Sequence, residues 1–557
     1  MRRLLLAASA LTTIGAAPQS APVASFDWFA YRGADPIDSA VEPGPGQYRN
    51  PVLAGFHPDP SVLRVGDDYY LVNSTFAYFP GLPIYHSRDL VSWHQIGNAI
   101  DRPDQFDFGK LRLSRGIFAP DLSYHDGTYY LAGTCVDCGG NFVMTARDPA
   151  GPWSDPVWNK IEGIDPSLFF DADGSAWILN NGTPPEPPRY EGHRAIWIQR
   201  IDLTTLQPFG PRTVLIDGGV HPAEKPIWAE GPHIYAHDGW YYLSTAEGGT
   251  AENHSQTIWR SKSVDGPYTP GPINPILTQR DLPADRDHPI TSAGHADFVT
   301  TPSGKWWATF LATRPYKGDF YNIGRETFLL PVTWHDGWPL ILPPKTPIPY
   351  VHKRPDLPRE ADRARPQTGA FSYRDDFGGE RLSPAWLMIR NPHSRWYAQA
   401  DGALRLTARP APLGGNTQPS YLGRRLQHHH GTITVRMHFA PKQAGDRAGI
   451  AILQSQDYFY TLSLAEKDGG MAVELRKRAG ADDPAGGTVV ASEPVRIKAG
   501  APIDLSIRPD GARIGFAYAV KPGTWHRLPD QDATILSTKT AGGFIGATVG
   551  PFATAAH

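Results

Sequence analysis

This sequence predicts an all-β chain, a five-bladed β-propeller followed by an antiparallel β-sandwich. Three observations carry that reading: a short pattern recurs five times in the first half, strands alternate with period 2 through the last third, and no helix-period segment of any length appears. The copies are "DPSVLRVGDDYYL" from Asp59, "FAPDLSYHDGTYYL" from Phe118, "DPSLFFDADGSAWIL" from Asp165, "EGPHIYAHDGWYYL" from Glu230 and "HADFVTTPSGKWWATF" from His295, at intervals of 59, 47, 65 and 65 residues. Each reads as two apolar strands around a tight turn, the unit of a propeller blade. Aligned on Gly127, Gly174, Gly239 and Gly304, the residue nine places upstream is Phe118, Asp165, Glu230 and His295, and Asp59 fits with one deletion. Inner strands of a propeller line a central channel, so these leading positions converge on one axis. Three carboxylates gathered there are costly unless hydrogen-bonded or metal-bound, and their proximity splits their pKa values; the cluster points to function.

The outer parts of the blades carry a second echo, in "IYHSRDLVSW" from Ile84, "FVMTARDPAGPW" from Phe142, "IWIQRIDLTTL" from Ile196 and "IWRSKSVDGPY" from Ile258. Each is a strand followed by an Asp-led turn. The propeller is expected to span residues 25–341, ending in "RETFLLPVTWHDGWPLI", and residues 342–368, rich in proline and charge, read as a semi-rigid linker. From 369 to 557, segments such as "GTITVRMHF", "MAVELRKRA" and "IDLSIRPDGARIGFAYA" alternate apolar and polar residues between Gly, Asp and Pro turns, the pattern of a sandwich. The run His428 to His430 invites a metal assignment, but consecutive strand residues point to opposite faces, and a solvated strand edge is the better reading.

Composition narrows the function. With 53 Lys plus Arg against 56 Asp plus Glu the formal charge is −3, and no basic run could track a phosphate backbone, so nucleic acid is not an expected partner. The 16 Trp and 11% aromatics suit both a turn-rich β protein and the stacking of sugar faces on rings. Residues 1–24 read as a secretory signal peptide: Arg2 and Arg3, an apolar stretch from Leu4 to about Ile14, then small residues suited to cleavage near Ala17 or Ala24. That stretch is too short to span a membrane. A secreted or periplasmic location follows. The two cysteines, Cys135 and Cys138, form a CxxC with neither a second pair nor a strand-to-helix context, which leaves a local disulfide or two free thiols.

Two carboxylates across a sugar-sized gap are the machinery of glycoside hydrolysis, one protonating the leaving oxygen while the other activates water or attacks carbon. A third can hold the acid and raise its pKa. Spacing alone does not say which does which. The segments "NPVLAGFHPDPSV", "DPSLFFDADG", "EGPHIY" and "GHADFV", in this order, resemble the signature segments of glycoside hydrolase family 43, and "FAYFPGLPIYHSRDLVSWHQIG" resembles its β-xylosidases and α-L-arabinofuranosidases. The region from "DDF" onward is similar to the concanavalin-like sandwich attached to those enzymes. The resemblance implies an inverting exo-acting hydrolase of terminal xylose or arabinofuranose, with Asp59 as general base, Glu230 as general acid and Asp165 tuning and orienting that acid. It further implies Phe76 and Phe118 around the terminal sugar, Arg325 on the substrate, and His295 near a structural calcium, usually through water; the chemistry itself requires no cofactor. Phe118 stands where the family often has Trp, while Asp121, Glu247 and Glu326 are read as structural. The competing readings are a dedicated arabinofuranosidase and a non-catalytic carbohydrate-binding propeller.

Overall fold

The computed structural model describes residues 21–360 and 366–556, so nearly all of the expected signal peptide lies outside the described residues. Five antiparallel sheets of four or five strands follow one another from Ser61 to Leu340. Their inner strands are Ser61–Val65, Asp121–His125, Ile164–Phe170, Glu230–His237 and Thr291–Thr300, and each touches the next with the fifth returning to the first. We number these blades I to V. Asp126 and Gly127, like Asp238 and Gly239, both have positive φ (45° and 73°, 47° and 72°). Two such residues in succession make a turn whose twist matches a hairpin, which is why Asp-Gly marks the blades in sequence.

Hydrogen bonds at the inner edge close the ring blade by blade. Leu122 N–H donates to Ser61 Oγ (3.0 Å), Leu168 N–H to Asp121 (3.0 Å), Ser167 Oγ to the Pro232 carbonyl, and Tyr235 OH to Asp297 (2.7 Å). Asp297 then accepts from Ser61 Oγ (2.9 Å) and Val62 N–H (2.8 Å), completing the circle. On the outside, Asn50–Leu53 laces onto Glu326–His335 of blade V, and Gln47–Arg49 pairs with Val351–Lys353.

The second domain is a sandwich of an eight-stranded and a seven-stranded sheet. Its first strand comes from the opposite end of the chain: Val23–Gly33 sits inside the eight-stranded sheet, paired with Phe371–Asp375, Ala403–Thr407 and Gly431–Phe439. This corrects the expected domain limits, because residues 23–33 belong to the sandwich and not to the propeller. Alternation explains it: Phe26, Phe29 and Tyr31 are buried in the sandwich core. The expected linker begins as part of the propeller instead, since Leu342 and Ile348 are buried against blades IV and V, while its residues 361–365 lie outside the described residues. One continuous apolar cluster joins blades I and II to both sheets of the sandwich. Strand Met388–Ile389 pairs with Tyr78–Phe79, and Asn322 accepts from Ala547 N–H at 2.8 Å, so the two domains share backbone ladders as well as a core.

His428 and His429 are buried in this junction, which corrects the solvated-edge reading. They precede strand Gly431–Phe439 and point into the seam. His428 meets Tyr31 OH (3.0 Å) and the Gly369 carbonyl (2.8 Å), while His429 meets the Arg314 carbonyl (2.7 Å). Cys135 and Cys138 form a disulfide. Among the described residues no helix is long and apolar enough to cross a membrane.

Candidate active site

The leading residues of blades I, III and IV stand at the start of their inner strands and His295 at a bulge within that of blade V, all set by a shared backbone device. Asp59, Asp165 and His295 have φ of 51°, 54° and 52°, and in blade IV the left-handed residue is Gly231 (56°), directly after Glu230. Strand register shifts follow at Asp165, Glu230 and His295. A left-handed residue at a bulge turns its side chain off the pleat and into the channel; such strain in non-glycine residues gathers at functional sites. Gly231 is also a close approach, since a Cβ there would lie 2.8 Å from His295 Nε2.

Asp165, Glu230 and His295 each offer a side-chain atom within 4.8 Å of the other two, and all three are buried. Burial, joined by the charges of Glu230 and Asp59, holds the Asp165 carboxyl well above the usual carboxylate range. Burial and then the Asp59 charge push Glu230 up to about 7, against the pull of Arg325 and Arg194. Asp59 goes the other way. Burial alone would raise it, but Arg325, His295 and the Ser74 hydroxyl outweigh that and keep it below its ordinary value. Arg325 Nη1 donates to Asp59 Oδ1 at 3.0 Å and Ser74 Oγ donates to Oδ2 at 2.5 Å. His295 is pushed down to about 4, chiefly by burial, and is neutral near pH 7.

Three phenylalanines wall the site. Phe76 lies 5.3 Å from Phe118, and both contact Phe544, at 5.9 Å and 5.5 Å. Phe544 belongs to the sandwich. Its loop reaches over the propeller mouth, where its N–H donates to Ser114 Oγ (3.1 Å) and its carbonyl accepts from Arg325 Nη2 (3.4 Å). Arg325 therefore ties the carboxylate of blade I to a loop from the other domain. A cleft of about 1120 Å³ opens beside this loop between Gln279–Thr291, Arg314–Tyr321 and Thr538–Gly543; none of the three carboxylates lines it.

Behind the site, His233 Nδ1 lies between Asp121 (3.5 Å) and Asp297 (3.9 Å). Asp121, pushed up to about 6 mainly by burial, and Asp297 hold the blades together. Glu326 does not pair with Arg325. It takes a bidentate pair from Arg314 (2.7 and 2.8 Å), and Gly55 N–H (2.7 Å). Sequence reasoning missed Ser74, Phe544, Thr134, whose Oγ1 accepts the Asp165 N–H at 3.2 Å, and His254. His254 is buried with Nδ1 on the Ser292 carbonyl (3.0 Å) and Nε2 without a partner among the described residues. None of these stands at a repeat-equivalent position, so no periodic signal marked them.

The resemblance implies a calcium beside His295. Calcium takes six to eight oxygens. Here two carboxylates and one imidazole converge, and the carboxylates have raised pKa values, so the residues suit an ion held largely through water.

An ionised carboxylate facing one that keeps its proton near neutral pH, in a channel walled by rings, is a device for acid–base cleavage of a glycosidic bond. Fold and site together define a propeller glycosidase. Residues 48–339 match glycosyl hydrolases family 43, and residues 374–557 match the β-xylosidase C-terminal concanavalin A-like domain; the chain belongs to that family. It is 40% identical to a non-reducing-end α-L-arabinofuranosidase of Bacteroides ovatus over 77% of this chain and 78% of that one. It is 36% identical to a xylosidase/arabinosidase of Butyrivibrio fibrisolvens over 90% of this chain and 95% of the other. A crystal structure of a GH43_12 protein retrieved from the capybara gut metagenome superposes with a TM-score of 0.89 at 38% identity, covering 96% of this chain and all of that one.

Proposed function

We propose that this glycosidase releases terminal β-D-xylose, with α-L-arabinofuranose as a second substrate, from xylan- or arabinan-derived oligosaccharides by single displacement with inversion. The observation that carries the reading is the split between Asp59, held ionised by Arg325, and Glu230, pushed up to about 7. In this reading Asp59 takes the proton of the attacking water, and Glu230 gives its own to the departing oxygen as the glycosidic bond breaks. Asp165 orients Glu230 and shares with it the last proton of the pair. Phe76 and Phe118 stack on the terminal sugar. Exo action is supported by the sandwich loop at Phe544, which stands across one end of the channel. The names of the relatives cover both pentosides, and the two sugars present similar hydroxyls that pocket shape separates by only ~1–3 kcal/mol.

A calcium at the channel centre, reached by His295 through water, would add positive charge beside the carboxylates. Export by the N-terminal signal is part of the same reading. Cleavage near Ala17 suits it better than cleavage at Ala24, because Ala24 is buried in the strand Val23–Gly33.

Kinetics on chromogenic β-xyloside and α-arabinofuranoside, with proton NMR of the first-formed sugar, test the proposal. Higher kcat/KM on the xyloside and an inverted anomer are expected. A retained anomer overturns the single displacement, and no turnover of either substrate overturns the function.

A further inference from the structure

The outer face of the eight-stranded sheet points away from the sandwich core, and two cavities of about 260 and 600 Å³ lie on it. Both are lined by Thr432 and Thr434, so they form one groove. The strand register shows its course: Arg374, Ala30, Thr434, Ser506, Ala517 and Arg527 stand directly opposite one another on six successive strands. At the usual strand spacing that row is roughly 24 Å long, enough for several sugar residues. Its floor is small and its ends are arginines.

Four arginines line the groove, Arg32, Arg374, Arg508 and Arg527, against one carboxylate, Asp530. The chain as a whole is slightly acidic, with a formal charge of −3, so the patch is not a general surface property. Arg374 pairs with Asp376 at 2.6 Å, but Arg32, Arg508 and Arg527 make no ion pair with any described residue. Beside them Trp525, 42% exposed, is one of the few large apolar side chains of the protein left in water. Unpaired guanidinium forks bind carboxylates bidentately, and an exposed indole offers a flat face to a sugar ring. Both together fit one kind of occupant.

We propose that this groove binds an acidic polysaccharide, a glycan chain carrying uronate carboxylates, at a site separate from the catalytic channel. The occupant's carboxylates would meet Arg508 and Arg527 while a neighbouring sugar lies on Trp525. Binding of this kind tethers the enzyme to polymer without a role in bond cleavage, and it does not depend on which pentoside is hydrolysed.

Affinity electrophoresis of the full chain through gels holding glucuronoxylan, neutral arabinoxylan or single-stranded DNA tests the proposal, with Arg508→Ala/Arg527→Ala and Trp525→Ala beside the parent. Glucuronoxylan should retard the parent with an apparent affinity roughly tenfold or more above the neutral polymer, and added salt should weaken it. Both variants should lose most of that retardation while turnover of a chromogenic pentoside stays unchanged. Equal retardation by the neutral polymer overturns the proposal, as do variants that bind like the parent. So does DNA binding as strong as glucuronoxylan binding, which would mark a general polyanion surface. A parent retarded by glucuronoxylan yet inactive on every pentoside would sink the hydrolase reading and leave this one standing.

Discussion

Asp165 and Glu230 lie too close to ionise independently, so the last proton of the pair is held past the usual carboxylate range. The alkaline limb of kcat/KM should report its loss. Asp165→Asn removes the repulsion and should move that limb to lower pH while slowing turnover. Glu230→Gln should cost xylobiose about 10²–10⁴ in rate, yet spare a dinitrophenyl xyloside, whose leaving group needs no proton; equal losses would remove Glu230 as the acid. The same raised pKa is a stability statement. A carboxyl lifted from 4.5 to about 7 binds its proton more tightly in the folded state, so stability falls as pH rises through that interval. Glu230→Gln should therefore melt higher than the parent above pH ~7 and converge with it below pH ~4.5. For Asp59 the sign is opposite: Arg325 holds it down, and Arg325→Gln leaves a buried carboxylate without its cation. The acidic limb should rise by a unit or more, roughly, and Arg325→Lys should restore part of it; an unmoved limb would mean that Asp59 is not the titrating base.

The same residues show how far the elements could be read from sequence. Repeat phase alone placed Asp59, Asp165, Glu230 and His295 at equivalent positions of four blades, because a blade is a local hairpin and its register follows its own turn. Phe544 escaped, since nothing in "AGGFIG" says that a sandwich turn lands on Ser114 of the propeller, 430 residues upstream. His254 escaped because it lies outside the inner strands and its burial depends on Gly294, where a Cβ would sit 2.8 Å from its Nε2. His428 and His429 were misread because alternation describes a strand's own two faces and not a second domain packed against its end. The Phe544 loop carries its own test. Phe544→Ala removes one of three mutually touching rings and opens the end of the channel, so KM for a chromogenic xyloside should rise about tenfold, with kcat less affected and melting little changed. An unchanged KM would show that the sandwich does not shape the sugar site.

At the scale of the whole molecule, the described residues enter one domain with Val23–Gly33, build the other, and return. Val23–Gly33 is an interior strand of the eight-stranded sheet, flanked by Gly431–Phe439 on one side and by Ala403–Thr407 and Phe371–Asp375 on the other. The propeller is therefore inserted between the first and second strands of the sandwich, and the two share one apolar cluster. Asp35, just after that strand, accepts from the His429 and His430 backbone and pairs with Arg314 at 3.1 Å, which in turn holds Glu326 of blade V. A chain truncated before Ala34 loses Phe26, Phe29 and Tyr31 from the core. At ~1.5–3 kcal/mol for each large side chain, before the lost ladder is counted, the deficit rivals the 5–15 kcal/mol by which a typical domain is stable. It also uncovers two sheet edges where strands were paired. That truncation should abolish soluble, active protein although it leaves every residue of the propeller site in place, whereas removal of residues 1–20 should leave folding and turnover intact. Soluble yield, melting temperature and pentoside turnover of the two truncated chains decide the matter: an active, cooperatively melting chain that starts at Ala34 would show that the propeller holds its site without the strand that ties the two ends of the sequence together.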